Sequence, residues 1–76
     1  MSVYPNPFSN TFIIKSSNHS LLGSKVKVMS RQGVIVYQNI INKKINFINL
    51  PKLPSGIYFV TIEHKDGLEK RILIKD

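Results

Sequence analysis

The side chains able to move a proton or hold a metal are few in this 76-residue chain: two histidines, His19 and His64, four acids and no cysteine. General acid–base chemistry needs such groups to converge on one substrate. His19 sits in a polar run and His64 at the end of a strand, and no acid is placed to orient either ring, so both read as solvated histidines. Two histidines without clustered partner ligands also fall short of a metal site. Glu63 and Glu69 face each other across the last hairpin in the register argued below. A carboxylate pair cleaves glycosides only within a cleft, and a hairpin end offers none. The four glycines stand singly, so no phosphate-cradling G-x-x-x-x-G-K loop exists. Asn18-His19-Ser20 matches the N-x-S acceptor pattern and reads as an ordinary polar turn. Together these residues predict a chain with no catalytic residue, metal, cofactor or small-molecule substrate.

The charge balance raises a different chemistry. Eleven Lys and Arg against four acids leave a net charge of +7, which could neutralise phosphates. A nucleic-acid surface, however, clusters its basic groups among stacking aromatics. Here Lys15, Lys25, Lys27, Lys43, Lys44, Lys52, Lys65, Lys70 and Lys75 are scattered along the sequence. Lysines so spread serve to discourage strand edges from pairing with other chains, and no nucleic-acid partner is expected.

The elements that must position these groups are short. A chain of this length supports one domain, here residues 1–76, and buries only about 60% of its unfolded surface. No disulfide adds to a core expected to supply about 3–5 kcal/mol. No apolar run approaches the ~20 residues of a membrane-spanning helix, and Met1-Ser2-Val3 begins no signal peptide. The abrupt entry into Val3-Tyr4-Pro5-Asn6-Pro7 predicts a fragment of a longer protein. β-Branched and aromatic residues recur in short runs, punctuated by Gly, Pro, Asn and Ser every eight to twelve residues or so, the spacing of an all-β sandwich or barrel. Strands are expected at Val3-Tyr4, Thr11 to Lys15, Lys25 to Met29, Val34 to Gln38, Lys44 to Leu50, Ile57 to His64 and Leu68 to Lys75. Pro5 and Pro7 confine the first to an edge, and Pro51 and Pro54 break the chain before the longest. Ser30-Arg31-Gln32-Gly33 reads as a tight turn with Gly33 at positive φ, and Ser16 to Gly23 as a longer polar connection. Val26 and Val28 point inward between outward Lys25 and Lys27. In the fifth strand Ile45 and Phe47 have one parity and Ile48 and Leu50 the other, which predicts a bulge or apolar cover on both faces.

Register in the last hairpin decides which side chains share a face. A two-residue Asp66-Gly67 loop pairs Val60 with Leu73 and Ile62 with Arg71, mixing charge into the face of Tyr58. A three-residue loop with Gly67 left-handed in a G1 bulge instead pairs Tyr58 with Ile74, Val60 with Ile72 and Ile62 with Lys70. The second register is the expectation. It places Phe59 opposite Leu73 on the other face with Ile57 close by, so that Ile57, Phe59 and Leu73 form either a candidate docking face or a face covered by a neighbouring segment.

Four segments carry a family resemblance in order and spacing: Val3-Tyr4-Pro5-Asn6-Pro7-Phe8; Val26-Lys27-Val28 leading to Gly33; Leu53-Pro54-Ser55-Gly56-Ile57-Tyr58-Phe59-Val60; and Lys70-Arg71-Ile72-Leu73-Ile74-Lys75. From Val3 to Lys75 the chain resembles the C-terminal sorting domain of proteins exported by the type IX secretion system of Gram-negative bacteria. The resemblance implies an immunoglobulin-like antiparallel β-sandwich of about seven strands, attached downstream of a larger cargo such as an enzyme or adhesin. It implies a cargo that folds in the periplasm, is presented to the outer-membrane translocon, and ends secreted or at the cell surface. A sortase-like peptidase then removes the domain upstream of Tyr4, often joining the cargo to an anionic lipopolysaccharide. Family recognition maps here onto Gly56, Tyr58, Val60, Ile62, Gly67, Lys70, Arg71 and Lys75, with Tyr4, Pro5, Asn6 and Pro7 as the N-terminal motif. Gly56 and Tyr58 read equally well as fold determinants, through a strained turn after Pro54 and a buried ring. One departure is Asp76 after Lys75, where the family often ends on the basic residue.

A carbohydrate-binding or adhesive accessory module of similar shape is the competing reading. Such modules present aromatic platforms, whereas this chain has no Trp and sets Tyr4, Tyr37 and Tyr58 within strands.

Overall fold

Runs of β-branched and aromatic residues closed off by Pro, Gly and Asn give seven strands, and the described residues contain no helix. The computed structural model describes residues 1–16, 22–65 and 67–76. His19, the Asn18-His19-Ser20 pattern and Asp66 lie outside the described residues. The strands are β1 (Ser2–Tyr4), β2 (Thr11–Lys15), β3 (Lys25–Ser30), β4 (Ile35–Ile40), β5 (Ile45–Asn49), β6 (Gly56–His64) and β7 (Gly67–Lys75). Every predicted strand is present, with ends shifted by at most two residues.

The strands form two antiparallel sheets, one ordered β1-β2-β5 and the other β4-β3-β6-β7, stacked as the predicted sandwich. Period-two alternation builds the layer between them. Phe12, Ile14 and Ile48 from the first sheet are buried with Val26, Val28, Tyr58, Val60, Ile62 and Leu73 from the second. Phe8 and Ile41, outside the strands, are buried with them, and Phe8 meets Phe12 edge-on at 5.0 Å between ring centroids. Val26 and Val28 face the core as predicted. The expected bulge in β5 does not occur: its register against β2 runs unbroken from Thr11↔Asn49 to Lys15↔Ile45. Ile48 goes to the core, while Ile45 and Phe47 stay outside, 43% and 72% exposed.

The β3–β4 turn forms as predicted, with the Gly33 N–H donating to the Ser30 carbonyl at 3.0 Å and Gly33 at φ 86°. This is a type I turn followed by a left-handed glycine. The last hairpin follows neither register weighed from the sequence. It pairs His64 with Gly67, Ile62 with Glu69, Val60 with Arg71, Tyr58 with Leu73 and Ile57 with Ile74. The shift relative to the expected register is one residue, which exchanges the two faces of β7. Leu73, expected on the docking face, is therefore fully buried against Tyr58. The charge that argued against mixed faces is accommodated locally. Arg71 and Glu69, inward by parity but half-exposed, pair with each other at 3.4 Å.

Candidate docking surface

With β7 in this register, its even-numbered residues join Ile57 and Phe59 on the outer face of the four-stranded sheet. Ile72 lies opposite Phe59 and Ile74 opposite Ile57. Ile72 is 58% exposed, and Ile57 and Ile74 are each 40% exposed. Met29 of β3 pairs with Phe59 from the other side, extending the apolar row. The Lys70 ammonium lies 4.4 Å from the centre of the Phe59 ring, a cation–π contact that sets a positive charge on an apolar floor. Next to it, Lys27 pairs with Glu63 at 3.6 Å. The face thus offers aliphatic and aromatic area rimmed by lysine, suited to a partner surface of apolar residues beside an acid.

The N-terminal motif is not a separate site. β1 belongs to the first sheet, but the chain then crosses to the free edge of β7. The Ile74 N–H donates to Asn6 Oδ1 at 2.8 Å, and Asn6 Nδ2 donates to the Ile72 carbonyl at 3.0 Å. Phe8 continues the contact in parallel register, its N–H donating to the Ile74 carbonyl and its carbonyl accepting from the Asp76 N–H, both at 2.9 Å. An amide side chain carries a donor and an acceptor in one plane, so Asn6 substitutes for a strand residue where the flanking prolines cannot donate. Together Asn6 and Phe8 cover the C-terminal half of an edge that would otherwise be open.

The remaining family positions divide by burial. Val60 and Ile62 are core residues. Gly56 and Gly67 sit at φ 152° and 137°, where a Cβ is strained, so both serve the backbone of the β6–β7 hairpin. Tyr58 buries its ring and donates its hydroxyl to the Pro54 carbonyl at 2.7 Å. Tyr58→Phe removes that bond while keeping the ring, and a loss of about 1 kcal/mol is expected in urea denaturation. Lys75 is 8% exposed, with its ammonium 5.8 Å from the Phe8 ring centre and bonded to the Asp76 carbonyl. Of the three basic positions only Lys70 stands on the outer face with its side chain exposed.

Glu63 and Glu69, expected to face each other, do not: Glu63 pairs with Leu68 in the ladder, and Glu69 lies 3.6 Å from His64 Nε2. His64 does therefore have an acid beside its ring, contrary to the sequence reading. Among the described residues no group of three or more His, Cys, Asp or Glu could hold a metal. The three tyrosines form no platform, for Tyr58 is buried, Tyr37 is half-buried on β4, and Tyr4 lies in the other sheet.

Sequence reasoning missed Ile72 and Ile74 as surface residues and the bonding role of Asn6. The first had a signal, since closing the hairpin one residue earlier was a third register open to inspection. The second had none locally, because Asn6 and its partners lie 66 and 68 residues apart.

The model of one protein family, described as secretion system C-terminal sorting domain, matches residues 2–75. No curated protein and no solved structure matches the chain.

Proposed function

Because the chain belongs to the family of secretion system C-terminal sorting domains, we propose that the outer face of β6 and β7 is where the export machinery holds it. The family's domain is the C-terminal sorting signal of type IX secretion, which works joined to a cargo protein and in contact with the secretion machinery. Its cargo is secreted or displayed at the cell surface.

Within that function the family positions and the outer-face residues fall into two roles. Gly56, Tyr58, Val60, Ile62, Gly67 and the Tyr4-Pro5-Asn6-Pro7 motif hold the sandwich and its terminal strand. Ile57, Phe59, Ile72 and Ile74, with Lys70 above the Phe59 ring, make the contact; Arg71 and Lys75 support it from the inner side of β7. The observation that carries this reading is the exposed apolar row on the last two strands with a cation on it. The translocon meets the domain in the periplasm, after the cargo has folded, and a sortase-like peptidase removes it upstream of Tyr4. No catalysis by this domain is involved.

A fluorescent reporter with a signal peptide at its start and Val3 to Asp76 at its end tests the reading. In a host with a working translocon the reporter is expected outside the cell. In a translocon-deficient host, or after deletion of Leu68 to Asp76, it is expected to stay in the periplasm at full length. Export of the deletion fusion at the normal level would remove β7 from the contact.

A further inference from the structure

The two flanks of the sandwich are built differently. On one, Asn6 and Phe8 bridge from the first sheet to the edge of β7. On the other, the edges of β4 and β5 are not hydrogen-bonded to each other, and no strand among the described residues lies between them. A groove of about 270 Å³ opens there, reaching the core residues Ile14, Val26 and Ile48. The sheets contain four and three strands, so β4 has no counterpart opposite it. Its inward residues Tyr37 and Asn39, placed by their pairing with buried Val28 and Val26, line the groove.

The edge of β5 is unusually bare. Strand edges are commonly blunted by shortness, proline, charge, irregularity or cover. β1 has three residues and ends at Pro5, β7 is covered, and the β3–β4 ladder shifts register between Val28 and Met29. β5, Ile45-Asn46-Phe47-Ile48-Asn49, carries no proline, bulge or charge, and no strand among the described residues pairs with its outer edge. Its hydrogen-bond phase follows from the ladder ends, where Ser16 N–H donates to the Lys44 carbonyl and Leu50 N–H to the Asn10 carbonyl, each at 2.8 Å. Even-numbered residues thus face β2, and Ile45, Phe47 and Asn49 direct their N–H and C=O groups outward. Lys43 lines the groove, Lys44 follows Lys43 immediately before β5, and Lys15 is paired opposite Ile45. All three are exposed, and among the described residues none is in a salt bridge.

We propose that this flank accepts an extended, acidic segment of another polypeptide as an added strand along β5. The added strand would make the sheets four on four and cover Tyr37 and Asn39, with backbone bonds supplying affinity and the lysines supplying sign. A second copy of this chain is the wrong occupant, since it brings the same +7 charge to the same lysines. The proposal is independent of the sorting face, because β4 and β7 are opposite edges of their sheet.

The test titrates the 76-residue chain, at low salt, with a blocked peptide of about six residues alternating Glu and Val, read by amide chemical shifts. Shifts are expected at Ile45, Phe47 and Asn49. N-methylation of the peptide on its bonding edge, or exchange of its Glu for Lys, is expected to weaken binding by about tenfold or more. Phe47→Pro is expected to do the same while leaving the sheet intact, because the Phe47 N–H is not used toward β2. Absence of binding, or equal affinity for the N-methylated or Lys peptide, overturns the proposal. If Phe47→Pro does not fold, the N-methylated peptide on the unaltered chain decides.

Discussion

Phe8→Ala is expected to bring the domain to about half unfolded at 25 °C and, in an export reporter, to expose it to proteolysis and lower export. Phe8 lies outside every strand, yet it is 1% exposed, stacked edge-on against Phe12 and covered by the Lys75 side chain. Truncating a buried phenylalanine costs about 3–5 kcal/mol. A disulfide-free core of this size supplies a similar total, about 3–5 kcal/mol, so the balance falls near zero. Local compensation is limited, because the Phe8 backbone is itself bonded to Ile74 and Asp76 and would have to stay in place around the missing ring. Circular dichroism and a urea titration of the isolated chain give the result directly. A variant that keeps most of its unfolding free energy would show that the N-terminal segment docks on the sandwich as a loose strap outside its cooperative unit.

The same residue shows where sequence reading succeeds and where it stops. The strands were legible because period-two alternation and the punctuation by Pro5, Pro7, Gly33, Pro51 and Pro54 are local signals, and local signals survive in a single sequence. The family resemblance was legible for a related reason: its four segments are short and contiguous. Register was not. For the last hairpin it depends on which loop closes, and the observed closure was not among the two weighed; Arg71 counted against sharing the Tyr58 face with charge because its pairing with Glu69 at the half-exposed rim cannot be seen from spacing. Asn6 was visible as part of a motif but not as a strand surrogate, since the groups it bonds come from the other end of the chain. β5 failed in the opposite way. Its two apolar parities suggested a bulge or a second cover, and the structure instead leaves Phe47 exposed beside an open edge.

Ile72→Glu and Leu73→Ala, at neighbouring positions, are expected to fail for different reasons. Leu73 is fully buried opposite Tyr58, so its truncation is expected to cost about 2–5 kcal/mol, most of the stability of the domain. Ile72 faces out opposite Phe59, where a carboxylate stays hydrated beside Lys70, and the substitution is expected to cost about 1 kcal/mol or less in strand propensity. The export reporter should nevertheless be retained with Ile72→Glu, because a charge then stands at the centre of the apolar row that the machinery is proposed to grip. Denaturation and export must be measured on the same variants, since either alone is ambiguous. Had the hairpin taken the register expected from the sequence, the roles would exchange: Ile72 would sit with Val60 in the core and Leu73 on the surface. A folded Ile72→Glu domain that is still exported normally leaves the register standing and removes the outer face from recognition. An unfolded one removes the register itself, and with it the reason for placing the contact on the outer face of β6 and β7.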